Sequence, residues 1–552
     1  MNCLDRRELS IRRILFIFGC CFLVLAGFLV QLLFIQLFNH QKYARLAAVQ
    51  RQNPLLSNSL RGNFYDRRGR IIRGTGYDRY LLFSQMNSAR LAEISKLLAP
   101  VITGNLTGYY RKCLNAPFWI YPLPLNARQI KAISGMKIPE LKIISQPVRK
   151  DQSPGIAWHL LGSTNENQGL SGLEYLYHSL LDGRNAGATI FTVNDGHRQY
   201  FPGLGLRASS IPNSTGVVLT IDAGIQRAVE RVIDRRRLVG AIVILDVKTG
   251  EVLAMSSRPM ADPAHSGDGI AETAHPYLNR AISAYHPGSL FKLVTLSAAL
   301  DRGFLQADDL FYDPGFYRIG AKKWYCTTSK GTGHGVIGLT DSLAYSCNPI
   351  FIQIAFRLGA ESILEYADKF GLGQPCNIGL KDESWGELPS GIGLAAGDLA
   401  NMALGEQDVY CTPLQMASLI QTIANNGVRR GPSLVKGSID REGRRAWLKQ
   451  SSPVRVLKTS TAKTLQQMMS AVIQYGTGTG AQISRGGAAG KTGTAQTGRE
   501  GSLTQHAWFA GFTPLVTPKF AVVVFCENGT SGGETAAPLF KEIMEEISTQ
   551  RD

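Results

Sequence analysis

Residues Ile14 to Phe38 read ILFIFGCCFLVLAGFLVQLLFIQLF, an apolar run broken only by Gln31 and Gln36. No other feature limits the fold so sharply. At about 1.5 Å per residue, a helix of this length outspans a hydrocarbon core about 30 Å thick. The run exceeds the apolar part of a secretory signal, and no small-residue cleavage pattern follows it. A buried core helix fits poorly with a run this long and this close to the N-terminus. The preceding stretch, MNCLDRRELSIRR, is short and basic. This flank predicts a cytoplasmic tail over 1–13, one membrane anchor over 14–38, and all later residues outside. No second run of this kind follows.

The remainder is a folding chain. Of the 552 residues, 44% are hydrophobic and 18% charged, too apolar a mixture for disorder and enough for several domains. The net charge of +17 comes in short scattered groups such as Arg67-Arg68, Arg235-Arg236-Arg237 and Arg444-Arg445. None interleaves with aromatic residues, so solvated faces or an anionic membrane or wall explain them, and a nucleic-acid partner is not expected. The nine cysteines form no framework. Cys113, Cys326, Cys347, Cys376, Cys411 and Cys526 lie beyond the anchor, where they can pair or remain thiols in apolar niches. With no C-x-x-C, Cys/His cluster or H-E-x-x-H, neither a metal nor a cofactor is expected.

Beyond the anchor, NHQKYARLAAVQRQN predicts a helix rising from the membrane. Leu60 to Gly76 predicts a hairpin, and Asn167 to Gly187 one amphipathic helix. A strand at Val217–Thr220 leads to a helix with Asp222 as N-cap. Gly240 to Ser257 reads as a hairpin about the turn KTGE. Three strand-like runs, GKTGTAQ, HAWFAGFTP and KFAVVVFCENG, lie far downstream, and TAAPLFKEIMEEISTQRD reads as a terminal helix. Between the strand groups the pattern is helical, including helices from Ser289 and over Thr412–Gly427. Strands at both ends with helices between predict an α+β domain, one antiparallel sheet completed by both termini and packed on a helical body.

Three short motifs carry chemistry. In HPGSLFKLVT, Ser289 and Lys292 share a helix face. Pro287 and Gly288 suit a tight turn into a helix N-terminus, whose free N–H groups favour a developing oxyanion. A lysine among Leu290, Phe291, Leu293 and Val294 is desolvated, which lowers its pKa and lets it accept the serine proton. Read alone, the pair is equally a capping serine and a snorkelling lysine. In YSCNP, Ser346 and Asn348 can face one cleft, the hydroxyl relaying a proton and the amide holding a substrate carbonyl. Read alone, that stretch is an ordinary turn. In GKTGTA, Lys491 and Thr492 at a strand start can bind a carboxylate. Gly493 permits close backbone approach, and the Thr494 N–H can complete an oxyanion hole with that of Ser289. Alone it suits a solvated strand edge.

The ordered set S-x-x-K, S-x-N, K-T-G is far more specific than its parts. With it, the chain resembles the class B penicillin-binding proteins, monofunctional D,D-transpeptidases that cross-link peptidoglycan. RGNFYDRRG and GLSGLEYLYHSLLDG are similar to that family's juxtamembrane and pedestal elements. LNRAISAYHPGSLFK, ALGEQDVYCTPLQMA and HAWFAGFTP are similar to stretches flanking its active site. The sequence departs from the pattern at Cys347, inside S-x-N, and at GEQDVY, where GQG is common. The resemblance implies a mixed α/β pedestal over 39–212 and a transpeptidase domain over 213–552. It implies Ser289 as nucleophile, Lys292 as general base, Ser346 as proton relay and Asn348 as the residue positioning the acyl donor. Lys491 and Thr492 would bind the terminal carboxylate, while Ser289 and Thr494 supply the oxyanion N–H groups beside Gly493. Implied partners are stem peptides ending in D-Ala-D-Ala, β-lactams, the membrane, and a polytopic membrane glycan polymerase. A β-lactamase-like hydrolase and a β-lactam sensor or silent scaffold are the competing readings. The first needs an extra carboxylate to activate water, and the second a signalling part or a lost motif.

Overall fold

The computed structural model describes residues 3–43, 46, 52–58, 61–84, 86–104, 106, 108, 118–151, 155–165, 168–182, 188–193, 206–208, 215–261, 275–391, 393–440, 442–497 and 504–549. Residues 44–45 and 47–51 of the expected helix after the anchor, and Cys113, lie outside them. Among the described residues one helix, Cys3–Leu37, contains a stretch long and apolar enough to cross a membrane, Arg13–Leu37, and none of that stretch is buried.

The chain divides into two compact units, 1–60 with 77–148 and 184–212, and 61–76 with 149–183 and 213–552. One division falls at 212/213, while segments 61–76 and 149–183, read from sequence as part of the pedestal, group with the second unit. The reason is local: Arg61 and Arg149 both reach the buried carboxylate of Glu174, at 2.6 and 2.7 Å, and strand Asn63–Tyr65 pairs in parallel with Gly216–Leu219. Segments 61–76 and 149–183 therefore pack with residues 213–552.

In the first unit, helices Ser88–Leu98 and Ala127–Met136 bury Ile94, Leu98 and Ile133 with Leu81, Phe83 and Trp119. Asn87 and Asn126 cap them, Asn126 in a reciprocal capping box with Gln129. The strands Gln52–Asn58, Ala188–Val193 and Leu206–Ala208 form a separate sheet.

In the second unit, the expected antiparallel sheet is present. Its five strands run in the order Val252–Arg258, Gly240–Asp246, Phe520–Cys526, Thr504–Thr513, Ala489–Thr497. The runs GAIVILD and FAVVVFC are apolar at successive positions because both sheet faces are covered. Ala241, Val243, Leu245, Trp508 and Phe525 share a core with helices Lys292–Asp301 and Pro413–Ala424. Ile242, Ile244, Phe509 and Val524, one residue out of phase, pack instead with helices Ala223–Arg235 and Ala537–Thr549. Asp222 caps the first of these as expected, accepting from Gly224 and Ile225 N–H.

One expected element is corrected. The helix read over 167–187 is two short pieces, Gly172–Leu176 and His178–Leu181, broken at Tyr177. One guanidinium, that of Arg61, reaches both pieces, at Glu174 Oε2 (2.6 Å) and His178 Nδ1 (3.2 Å), and the chain bends between these anchors. Several of the scattered basic residues are ion-paired. Arg235 and Arg236 meet Glu542, Arg67 meets Glu251, and Arg444 meets Asp440.

Candidate active site

The serine turn opens with Gly288 at φ +54°, a left-handed conformation that L side chains rarely adopt. A Cβ there would also lie 2.6 Å from the Thr494 carbonyl oxygen. Residues 288–291 form a 3₁₀ turn, and the α-helix starts only at Lys292. This differs from the α-helix expected to start at Ser289. The tighter winding brings positions i and i+3 into eclipse, so Ser289 and Lys292 align on one side more closely than on an α-helix. Ser289 is half-buried and Lys292 wholly buried.

Lys292 Nζ donates to Ser346 O (2.7 Å), Ser346 Oγ (3.1 Å) and Asn348 Oδ1 (2.7 Å). Its ammonium also lies 5.3 Å from the Phe351 ring centroid. Ser346 follows helix Leu339–Ala344 at φ +55°, a strained setting for a serine. Asn348 and Pro349 then open helix Asn348–Leu358, proline occupying a first-turn site where no N–H is needed. The Asn348 amide is held at both ends, since its Nδ2 donates to Tyr325 O at 3.1 Å. Burial pushes the Lys292 pKa down to about 8, against the opposing fields of Cys347, Glu406 and Cys326. Its hydrogen bonds all go to the 346–348 loop; the nucleophile–base contact of such sites is often looser before substrate binds.

The third motif lies on the edge strand Ala489–Thr497. Lys491 is wholly buried, which removes the reading as a solvated edge lysine. Its Nζ donates to Thr492 O at 3.0 Å, and Thr492 Oγ1 shares a 2.7 Å hydrogen bond with Thr477 Oγ1. Burial first, and the charge of Lys292 second, hold Lys491 well below the usual lysine pKa. A carboxylate arriving beside Lys491 would favour its charged form and so bind there. Gly493 is needed for space: a Cβ would sit 2.7 Å from Pro287 O and 3.0 Å from Leu290 Cγ. Thr494 lies against the serine turn, with its Oγ1 accepting from Gly532 N–H at 3.1 Å.

All three motifs thus converge. Sequence reasoning missed Thr477 and the role of Glu406. Thr477 lies in the glycine-rich YGTGTG, where a Cβ on Gly476 would be 2.3 Å from Ala344 O, and that glycine pattern was the available signal. Glu406 follows Gly405, whose carbonyl accepts from Gly288 N–H at 3.0 Å. Burial raises the Glu406 pKa, and the positive charge of Lys292 opposes the rise.

The chain is similar to several known proteins. A family profile described as the penicillin binding protein transpeptidase domain matches residues 240–545. The chain is 32% identical over 434 residues to penicillin-binding protein PbpB of Mycolicibacterium smegmatis, covering 74% of this chain and 65% of that protein. It is 32% identical over 442 residues to stage V sporulation protein D of Bacillus subtilis, covering 76% and 66%. It therefore spans just under two thirds of the length of these curated relatives. Among solved structures, penicillin binding protein 3 of Mycobacterium tuberculosis, complexed with aztreonam, superposes with a TM-score of 0.65 at 26% identity. That match covers 91% of this chain and 97% of the other. A peptidoglycan synthetase from Bifidobacterium adolescentis, at 20% identity and a TM-score of 0.66, shares the fold.

Proposed function

The chain belongs to the class B penicillin-binding proteins, and from that premise we propose that it is a membrane-anchored D,D-transpeptidase acting through an acyl-enzyme on Ser289. The observation that carries this reading is the meeting of Lys292 with Ser346 and Asn348 beside the buried Lys491-Thr492 pair. Lys491 and Thr492 bind the terminal carboxylate of a stem peptide ending in D-Ala-D-Ala. Ser289 Oγ attacks the carbonyl carbon of the penultimate D-Ala as neutral Lys292 takes its proton. The N–H groups of Ser289 and Thr494 receive the oxyanion. Collapse breaks the peptide bond, and the proton passes through Ser346 to the departing D-Ala amine. An amine of a second stem peptide then displaces Ser289, closing the cross-link without ATP. Asn348 positions the donor backbone. A β-lactam enters the same cycle and stays on the serine.

The apolar helix anchors the chain by a single pass, with the catalytic part outside the cytoplasm and a polytopic membrane glycan polymerase beside it. Glu406 favours a second reading, a hydrolase. It is a carboxylate in the field of Lys292 with a raised pKa, suited to activating water.

Detergent-solubilised full chain is incubated with a fluorescent penicillin, then washed. Label persisting for many minutes, with free D-Ala and cross-linked dimer formed from stem-peptide polymer, supports the transpeptidase. Label lost within seconds, with hydrolysed penicillin accumulating, supports the hydrolase. No label at all removes both enzymatic readings.

A further inference from the structure

Four segments deliver one donor atom each to a single point beside the active-site loop. Asp313 ends strand Leu310–Asp313, and Cys326 follows strand Lys322–Tyr325. His334 precedes strand Gly335–Gly338, and Cys347 caps helix Asn348–Leu358. The carboxylate, the two sulfurs and the imidazole nitrogen all lie within 4.8 Å of one another. His334 Nδ1 is 3.4 Å from Cys326 Sγ and 2.7 Å from Asp313 Oδ2. Asp313, Cys326 and Cys347 are buried, and His334 is nearly so. From these positions we propose that Asp313, Cys326, His334 and Cys347 form a binding site for a tetrahedral divalent cation of the zinc class.

The spacing fits. A tetrahedral shell with metal–donor distances of about 2.0–2.3 Å has donor–donor edges of about 3.3–3.8 Å. The sulfur–nitrogen edge already meets that value, and the nitrogen–oxygen edge needs to open by about half an ångström. Two thiolates, an imidazole and a carboxylate are the donors of zinc, not of calcium or magnesium.

The surroundings are built for it. Asp313 Oδ1 accepts from Gly315 N–H (2.8 Å) and Oδ2 from His334 N–H (3.1 Å), so outer donors orient the carboxylate. The Tyr345 ring stacks on the His334 imidazole, with centroids 5.1 Å apart and 8° between planes. Gly315 and Gly333 let the two loops cross: added Cβ atoms would lie 2.1 Å from Gly331 O and 2.4 Å from Asp313 O.

With four protein ligands the shell is closed, and the metal's role is to hold structure, not to activate water. What it holds is Cys347, the residue between Ser346 and Asn348, both of which bind Lys292. Binding sets the two thiol protons free to solvent and fixes that loop. The consequence for acylation rests on the transpeptidase reading; the site itself does not.

The test uses full chain in detergent, reduced and stripped of metal, titrated with cobalt(II) alone. One equivalent should give thiolate-to-cobalt charge transfer in the near ultraviolet and tetrahedral d–d bands, both erased by zinc(II). Cys326→Ser and His334→Ala should lose these bands and weaken zinc binding by about 100-fold or more. Zinc should raise the parental melting temperature and leave that of either variant in place. Absence of stoichiometric cobalt bands in the parent overturns the proposal, whatever the variants do. So does persistence of the bands in Cys326→Ser. A Cys326–Cys347 disulfide, found by mass spectrometry of chain isolated without reductant, overturns it too, since each sulfur is then engaged by the other. Acylation by penicillin is read separately, so a failed metal site leaves the transpeptidase reading standing.

Discussion

Acylation of Ser289 should switch on with rising pH, following the deprotonation of Lys292. Burial brings this lysine from an ordinary 10.5 down to about 8. At pH 7, about one lysine in ten is then neutral, against about three in ten thousand without the shift, a gain of about 300-fold, or roughly 3 kcal/mol. Only the neutral amine can take the serine proton. The second-order acylation rate should therefore rise about tenfold per pH unit below 8 and level off above it. Stability has the matching sign. The folded state binds fewer protons than the unfolded chain between pH 8 and 10.5. Stability therefore rises with pH through that window, and the desolvation cost is fully present below it. The titratable groups facing this amine are Cys347, Glu406 and Cys326, whose ionised forms raise its pKa, and Lys491, whose own pKa the charge of Lys292 lowers. Glu406→Gln removes one opposing field and should move the midpoint to lower pH. Lys292→Arg, whose guanidinium stays charged, should acylate at least about 100-fold more slowly. The assay is stopped-flow acylation by a fluorescent penicillin from pH 6 to 9. A flat profile, or Lys292→Ala reacting at the parental rate, refutes the assignment of the base.

Three further outcomes test the frame around the site. Gly493→Ala places a methyl 2.7 Å from Pro287 O, so it should slow acylation at least tenfold and destabilise by about 1–3 kcal/mol in urea unfolding; parental values in both assays would contradict the close strand–turn contact. Glu174→Gln leaves Arg61 and Arg149 without their buried carboxylate and should cost about 3–5 kcal/mol, read as a fall in the denaturation midpoint. Thr412→Ala removes the capping box with Gln415 and should cost about 1 kcal/mol with labelling unchanged.

Much of this architecture is written in local pattern. GAIVILD and FAVVVFC, flanked by turns, identify central strands because a sheet covered on both faces needs apolar residues at every position. Asp222 and Thr412 announce their helices because a cap is a two- or three-residue interaction. The site was legible as three ordered motifs, but its geometry was not. Ser346 takes a left-handed backbone and Ser289 a 3₁₀ turn because tertiary contacts, with Lys292 and with the 493–494 strand, override local preference. The break at Tyr177 depends on Arg61, more than a hundred positions away. Asp313, Cys326, His334 and Cys347 have no motif spacing at all. Each lies at the end of a different short element, and only the crossing of two glycine-bearing loops brings them together.

The most direct test of the account is the identity of the acylated atom. Full chain in detergent is reacted with a penicillin, digested and mapped by tandem mass spectrometry. The account predicts one penicilloyl group per chain, carried by Ser289 within HPGSLFK, and none on Ser289→Ala. A stable adduct on any other residue, or an unmodified Ser289 in protein that retains its fold, would contradict it.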